Sequence, residues 1–227
     1  WSDAGGTNLG ELGRVSADLA ITEQYGVYLS SPVPLLAASL TPGQTTDIPF
    51  KLQNSGNREA GFSIISNFQA DDWTAFVTDL NHSIVQMPMP LGKGEQVELL
   101  LNVTAPSDAS PGEVPFTLRA VCPSCGQSLF GTEVISKKIE VPVLRELQIV
   151  AEEYEISAPA NGQSRVVIID LLNLGNDDEA YSLSLTQSNW KLGAYLAADE
   201  TPVLDAWDGE TSIVLNLPMP VGLAPGL

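Results

Sequence analysis

Two stretches of the sequence decide the fold: GQTTDIPFKLQNSGN at residues 43–57 and GQSRVVIIDLLNLGN at residues 162–176. Both begin with Gly-Gln, continue as an apolar strand and end in Asn-x-Gly-Asn. Asn and Gly at such a position indicate a chain reversal, because both residues tolerate the positive φ that tight turns demand. The two stretches therefore predict one turn-strand-turn unit that occurs twice. A ligand-binding loop is the alternative interpretation of the two Asn-x-Gly-Asn segments.

Further pairs follow in the same order at a separation of roughly 115 to 119 residues, as expected of an internal repeat. They are Ala60–Ile64 with Ala180–Leu183, Asp72-Trp73 with Asn189-Trp190, Gly94-Glu95 with Gly209-Glu210, and Pro106–Gly112 with Pro220–Gly226. A weaker match places Leu12–Val15 over Phe130–Glu133. This frame predicts the closing strand of a preceding repeat at 1–25, a complete domain at 26–145, and a second domain lacking its last strands at 146–227.

The segments between turns have the character of short strands. They are rich in Val, Ile, Thr and aromatic residues, they often alternate, and no window keeps a helical apolar face. The predicted fold class is all-β: tandem immunoglobulin-like antiparallel β-sandwiches, one complete and its neighbours truncated. In the complete domain, strands are predicted near 27–40, 44–54, 60–67, 73–79, 83–87, 95–104, 113–121 and 128–142.

The order of these motifs resembles the tandem immunoglobulin-like modules of archaeal and bacterial surface proteins, of the CARDB or NEW3 type. The resemblance covers Val27 to Leu227 in two copies. It rests on the Gly-Gln turn, the strand ending in Asn-x-Gly-Asn, the following Phe/Tyr-Ser strand, the Trp and the Pro-x-x-x-x-Pro-Gly loop. It implies a stalk, spacer or adhesion domain, and it offers no catalytic residues to carry over.

Charge excludes several classes of partner. The 227 residues include 28 acidic and 10 basic side chains, which give a net charge of -18. Nucleic acid is therefore excluded as a partner, because phosphates need clustered Lys and Arg, and an anionic membrane surface is disfavoured by the same sign. No apolar run reaches the length of about 18 residues that a spanning helix needs, so no membrane insertion is expected in this segment. The acidic, Lys-poor composition favours an extracellular or cell-surface location.

The sharpest local motif is Cys122-Pro123-Ser124-Cys125-Gly126. It has the form of one zinc-ribbon knuckle, but a structural zinc site needs four ligands and the chain has two Cys and one His. A small disulfide between Cys122 and Cys125 at a hairpin tip is the favoured interpretation. A reduced pair, and an intermolecular metal or redox role, are the alternatives.

Four tryptophans have two possible roles. Trp73 and Trp190 occupy matched positions and are predicted to fill the core between sheets, with a sugar-stacking platform as the alternative. Trp1 and Trp207 have no matched partner, and Trp207 is the one expected to be exposed.

Acidic clusters are candidate Ca²⁺ ligands, the one cofactor considered. The weak candidates are Asp71, Asp72, Asp177 and Asp178, but their spacing matches no EF-hand pattern, so solvated loop charge is favoured. Asn81 begins a glycosylation sequon, as does Asn102. Because Asn102 lies near a strand, Asn81 is the glycosylation candidate, and His82 beside it is expected on a loop.

No enzyme is predicted. The chain has one His, no Gly-x-Ser-x-Gly elbow, no His-Glu-x-x-His motif and no phosphate-binding loop. The favoured function is a non-catalytic structural or adhesive spacer whose partners are neighbouring repeats of the same polypeptide, and also surface glycan or protein. The alternative is a glycan- or peptide-binding accessory module of a secreted hydrolase. Truncated repeats also predict unpaired strand edges that pair between chains.

Overall fold

The computed structural model describes residues 21–125, 132–151, 162–186, 193–219 and 221–222. Across these ranges the chain forms β-strands and no helix. The strands are β1 (Val27–Ser30), β2 (Leu36–Ser39), β3 (Thr45–Asn54), β4 (Ala60–Phe68), β5 (Thr74–Thr78), β6 (Met89–Leu91), β7 (Gln96–Thr104), β8 (Gly112–Val121), β9 (Thr132–Val141), β10 (Leu147–Ala151), β11 (Ser164–Asn173), β12 (Tyr195–Leu196) and β13 (Glu210–Pro218).

Strands β1 to β9 form two sheets that share one hydrophobic core, and we call this region the first unit. One sheet has the order β1-β3-β7-β5 and the other the order β2-β9-β8-β4-β6. Strand β3 shows why one face of each sheet is apolar. Every second side chain from Ile48 to Asn54 is buried, because successive side chains of a strand point to opposite faces of the sheet. The core contains the inward side chains of both sheets, among them Ile48, Phe50, Leu52, Leu99, Leu101, Phe116, Leu118 and Ile139.

Strands β10 to β13 form a third sheet, which we call the second unit. Its order is β10-β11-β13-β12, and its pairs are all antiparallel, like those of the first four-stranded sheet. The registers also correspond. Val27 pairs with Asn54 as Leu147 pairs with Asn173, and the β3–β7 and β11–β13 ladders align in the same way. The repeat seen in the sequence is therefore a repeat of this sheet.

The strand predicted near 27–40 is wrong as one element. It divides into β1 and β2, which belong to different sheets, and Pro32 and Pro34 lie between them. Proline cannot donate to a ladder, so the chain leaves one sheet there and joins the other. Strand β2 runs parallel to β9, which makes it the exception to the antiparallel prediction.

The strand predicted near 83–87 is also wrong. Only Ile84 forms an isolated bridge, to Thr78, and the strand of this region is β6, which pairs with β4 at a sheet edge. Pro90 lies within β6, and an edge strand tolerates proline because one side of it needs no partner.

The sequence match of Gly94-Glu95 with Gly209-Glu210 is off by one residue. Gln96 begins the pairing of β7 with β3, and Glu210 begins the pairing of β13 with β11, so Glu95 corresponds to Gly209. The backbone agrees, because Asn54 N donates to Glu95 O at 2.9 Å and Asn173 N donates to Gly209 O at 2.9 Å. A one-residue slip would exchange the two faces of β13, and the ladder keeps its apolar residues inward.

Several predictions lie outside the described residues. They are residues 1–20 of the closing strand expected at 1–25, the start of the strand predicted at 128, Trp1, Trp190, and most of Pro220–Gly226. The described part of that closing strand, residues 21–25, forms no strand.

Candidate functional site

Asn54 organises the turn at the end of β3. It is fully buried. Its Nδ2 donates to Arg58 O at 2.7 Å and to Leu91 O at 2.9 Å, and its Oδ1 accepts from Gly56 N at 2.9 Å. This buried amide joins the turn to β6 through its bond to Leu91 O, and both of its polar atoms have partners, as most buried polar groups do.

Asn173 repeats this arrangement at the end of β11. Its Nδ2 donates to Asp177 O at 2.9 Å, to Leu204 O at 3.2 Å and to Asp205 O at 3.1 Å. Its Oδ1 accepts from Gly175 N at 3.0 Å and from the Tyr181 hydroxyl at 2.9 Å. The first unit has Phe62 where the second has Tyr181, so the last hydrogen bond belongs to the second unit alone.

The last Asn of the first turn, Asn57, holds the chain that enters the first unit. Its Oδ1 accepts from Gln24 N at 2.8 Å, and its Nδ2 donates to Thr22 O at 2.9 Å. Its own N donates to Gln24 O at 2.9 Å. The entering chain is thus fixed against the turn, and Asn57 is half-buried.

Asn176 makes the same bonds to the segment that joins the two units. Its Oδ1 accepts from Leu144 N at 2.7 Å, and its Nδ2 donates to Pro142 O at 3.0 Å. It also donates to Ala109 O of the first unit at 3.3 Å and is only 1% exposed. One side chain therefore connects the second unit, the linker and the Pro106–Gly112 loop.

The glycines of the two turns, Gly56 and Gly175, let the backbone of the entering segment pass close to the backbone of the turn. We expected positive φ in the Asn-x-Gly-Asn turns, and this was wrong, because the positive φ values of the described residues lie elsewhere. A Cβ on Gly56 would lie 2.5 Å from Gln24 O, and one on Gly175 would meet Leu144 O even more closely. Any larger residue would push the entering segment away.

In each unit an ion pair joins the turn to the segment that enters the unit, and the acidic and basic partners are exchanged between the two units. Glu23 of the entering segment pairs with Arg58 of the turn. In the second unit Arg145 belongs to the linker, and its Nε lies 2.7 Å from Glu179 Oε1. The hydrogen bond and the charge of Glu179 raise the pKa of the Arg145 guanidinium above its ordinary value. Burial, followed by the charge of Glu179, raises the pKa of the Tyr181 phenol.

Trp73 lies at the edge of the first unit's core, where the sequence predicted a core residue. It is half-buried, and its ring stacks on Phe68 at 5.5 Å between centroids. It also lines two surface cavities, of about 350 and about 520 Å³, together with Asp71 and Asp72. The prediction that Trp73 fills the core between sheets is therefore met in part, because the ring packs against the core and also lines the surface. Trp207, expected to be exposed, is half-buried.

The acidic candidates do not converge on one point. Asp71 and Asp72 line the Trp73 cavities, and Asp178 Oδ1 accepts from Ala206 N at 2.9 Å. Within the described ranges no group of three or more His, Cys, Asp or Glu side chains is placed to hold a metal ion. The Ca²⁺ expectation thus finds no assembled ligand set there.

Cys122 and Cys125 form a disulfide at the end of β8, with 5.4 Å between their Cα atoms. Both side chains are buried at the margin of the first unit's core. The cross-link spans only a short loop, so its effect is local.

Asn81 lies on an exposed turn, where Asp79 Oδ1 accepts from Asn81 N at 2.8 Å. Its neighbour His82 is mostly exposed, with Nδ1 3.3 Å from Asp47 Oδ2. The second sequon residue, Asn102, donates its amide to Asp47 Oδ1 at 2.8 Å within the sheet. Of the two sequons, Asn81 is the accessible one.

Sequence reasoning missed the roles of Asn57, Asn176 and Ala109. The sequence predicted the two Asn residues as turn formers and Pro106–Gly112 as a loop. The available signal was that both Asn positions of the turn occur in each of the two repeats. The carbonyl of Ala109 carries no sequence signal, because any residue supplies a backbone oxygen.

The described residues thus form an all-β chain whose first unit is a sandwich of two sheets. No protein-family model matches it, and no curated protein matches it. Within the described part of the chain no helix is long and apolar enough to cross a membrane.

Solved structures give distant likenesses. A family 123 glycoside hydrolase from Clostridium perfringens is similar at 7% identity and TM-score 0.39, over 51% of this chain and 27% of that one. The seventh PapD-like domain of human CEP192 is similar at 10% identity and TM-score 0.33, over 58% and 94%. The D00-D0 domain of intimin is similar at 14% identity and TM-score 0.31, over 83% and 85%. Because these TM-scores are below 0.5, the residues of this chain alone decide the functional assignment.

Proposed function

We propose that the chain is a non-catalytic structural or adhesive spacer of a secreted or cell-surface protein, built from tandem immunoglobulin-like modules of the CARDB/NEW3 type. One module comprises residues 26–145, and its neighbours are represented by 1–25 and 146–227. Its partners are the adjoining modules of the same polypeptide, and surface glycan or protein at the free surfaces.

The observation that carries this proposal is the position of Asn176. Its side chain bonds the linker at Leu144 and Pro142 and the preceding unit at Ala109. A linker tied on both sides loses the independent motion that connected domains otherwise have. Holding adjoining modules at a fixed angle is what a spacer requires.

The chemistry of the surface supports an extracellular location. The Cys122–Cys125 disulfide is typical of oxidising compartments. The net charge of -18 keeps extended modules soluble and apart.

The test is the distance distribution between spin labels at K93C and D199C, both exposed sites and one in each unit. The wild-type chain is expected to give a narrow distribution and Asn176→Ala a broad one. Asn57→Ala is the matched control, because it removes the same local bonds away from the linker between the units. A distribution that stays narrow in Asn176→Ala, or broadens equally in Asn57→Ala, would contradict the spacer function.

The second candidate function is a glycan- or peptide-binding accessory module, and the Trp73 cavity favours it. A half-exposed ring beside Asp71, Asp72 and Asp108 offers stacking together with hydrogen-bond acceptors. Screening the chain on glycan and peptide arrays tests it. Binding that Trp73→Ala abolishes and Phe76→Ala preserves would favour this function, since Phe76 is an exposed aromatic outside the cavity. Binding that Trp73→Ala leaves unchanged would exclude the cavity as the binding site.

A further inference from the structure

Asn81 and the two residues after it form a tight, exposed turn at the side of the first unit. Asp79 Oδ1 accepts from Asn81 N at 2.8 Å and from Ser83 N at 2.9 Å, and His82 between them has a φ of 61°. All three residues of this sequon are exposed. Among the described residues no partner holds the Asn81 side-chain amide. The acceptor nitrogen and the Ser83 hydroxyl are therefore both open to an enzyme.

The second sequon is closed to an enzyme in the folded chain. Asn102 lies in β7, which pairs with β3 on one side and with β5 on the other. Its Nδ2 already donates to Asp47 Oδ1 at 2.8 Å, and the next residue, Val103, is fully buried. Glycosylation requires an exposed acceptor, so the structure distinguishes Asn81 from Asn102.

The exposed turn lies at the edge of a sheet. Strand β5 is the outermost strand of the order β1-β3-β7-β5. After the turn the chain runs back along this edge, where Val85 N donates to Val77 O at 3.1 Å. An outermost strand is a template for pairing with another chain, and native proteins commonly cover such an edge.

The same edge carries exposed apolar side chains. Leu80 is 57% exposed, Ile84 is 72% exposed, and Phe76 on β5 is 44% exposed. His82 Nδ1 lies 3.3 Å from Asp47 Oδ2, and Asp47 shares a row of the sheet with Phe76, so the turn lies close to this ring. Apolar side chains clustered at a strand edge favour association.

We propose that Asn81 carries an N-linked glycan, which covers the β5 edge and the apolar side chains beside it. The donor is an oligosaccharide on a polyprenyl phosphate or pyrophosphate carrier. Transfer forms a bond between Asn81 Nδ2 and C1 of the first sugar and breaks the bond between C1 and the phosphate oxygen. Nδ2 loses one proton, and the phosphorylated carrier leaves. A bulky, hydrated glycan keeps other chains away from the edge. The proposal rests on the extracellular location in the proposed function and not on the spacer role.

Tryptic peptide masses of the protein purified from the cells that produce it test the modification. Trypsin cleaves after Arg58, Lys93 and Arg119, so the two sequons fall in separate peptides, 59–93 and 94–119. Peptide 59–93 is expected to carry the added mass of a glycan, and peptide 94–119 to have the mass of its sequence alone. An unmodified peptide 59–93, or a glycan on peptide 94–119 instead, would overturn the proposal.

Sedimentation velocity of variants from the same cells tests the covering role. Asn81→Gln removes the acceptor and leaves the backbone bonds of the turn in place, and it is expected to form dimers or larger species whose fraction rises with concentration. Asn67→Gln, at an exposed Asn outside any sequon, is the matched control and should sediment like the wild-type chain. If Asn81→Gln sediments like Asn67→Gln at every concentration, the glycan does not cover an associating edge. Neither measurement depends on the label distances between the units, so this proposal and the spacer function fail separately.

Discussion

The two four-stranded sheets have the same strand order, yet their inward faces have different surroundings. In the first unit, Phe50 and Leu101 are buried by the opposing sheet. The equivalent Ile169 and Leu215 of the second unit are only half-buried. The same strand order and register therefore occur in both units, while equivalent inward side chains differ in how far they are buried.

The two turns teach a related lesson. The Asn side chains share one set of bonds to backbone atoms in both units, to which Asn173 and Asn176 add bonds to Asp205 O and Ala109 O. The ion pair between the entering segment and the turn, in contrast, has opposite polarity in the two units. The hydrogen bonds fix the path of the backbone, and exposed ion pairs contribute little to stability. The common element is therefore geometric, as expected if the turns position neighbouring modules.

The largest predicted loss of stability distinguishes the inward face of the first unit's sheet from that of the second. Leu29→Ala removes a side chain from a filled core and is expected to destabilise the first unit by about 3 kcal/mol. Ile149→Ala removes a side chain that is 61% exposed, so we expect a loss below about 1 kcal/mol in the second unit. Amide hydrogen exchange of each sheet, measured at increasing denaturant, gives the free energy of unfolding of each unit separately in the full chain. Equal losses would show that Ile149 is as well covered as Leu29.

The buried Asn residues should give similar effects in the two units. Asn54→Ala and Asn173→Ala each leave several backbone groups without a partner, at an expected cost of about 2 kcal/mol in their own unit. Asn67→Ala on the exposed side of β4 is the control and should be nearly neutral. The same hydrogen-exchange measurement applies. A cost in one unit only would mean that the shared network is not what stabilises both turns.

Much of the first unit could be predicted from the sequence, because its strands alternate strongly and end at Gly, Asn or Pro. The bounds of β3, β7 and β8 follow the prediction within one residue. The division of β1 from β2 was signalled by Pro32 and Pro34, but alternation alone could not say that the chain changes sheets. The one-residue error at Glu95 arose because identical letters were matched where the hydrogen-bond register was not visible.

The candidate site was less predictable, since it depends on contacts distant in the chain. Asn176 meets Ala109, a residue 67 positions away, through a backbone oxygen. Trp73 could be assigned to a packing position, but the cavities beside it depend on the path of the Pro106–Gly112 loop. Repetition identified the important residues, and only the structure identified their partners.

The smallest predicted effect concerns Tyr181, whose counterpart in the first unit is Phe62. At neutral pH, Tyr181→Phe loses one hydrogen bond to Asn173 Oδ1, which still accepts from Gly175 N, so the expected cost to the second unit is about 0.5–1 kcal/mol. The raised pKa of Tyr181 means that the folded state favours the neutral phenol. This stabilisation is complete below the ordinary pKa near 10.0 and is lost as the pH rises through the folded-state pKa.

Tyr181→Phe should therefore approach or exceed wild-type stability above pH 10. The substitution should leave the first unit unchanged at every pH, because Tyr181 belongs to the second unit. Unfolding midpoints of each unit from pH 7 to above pH 10 measure this. Tyr195→Phe, which alters an exposed tyrosine on β12, is the control. A difference between wild type and Tyr181→Phe that stays constant with pH would show that the phenol is equally free to ionise in the folded and unfolded chains. The contrast between Tyr181 and Phe62 would then be one of hydrogen bonding alone.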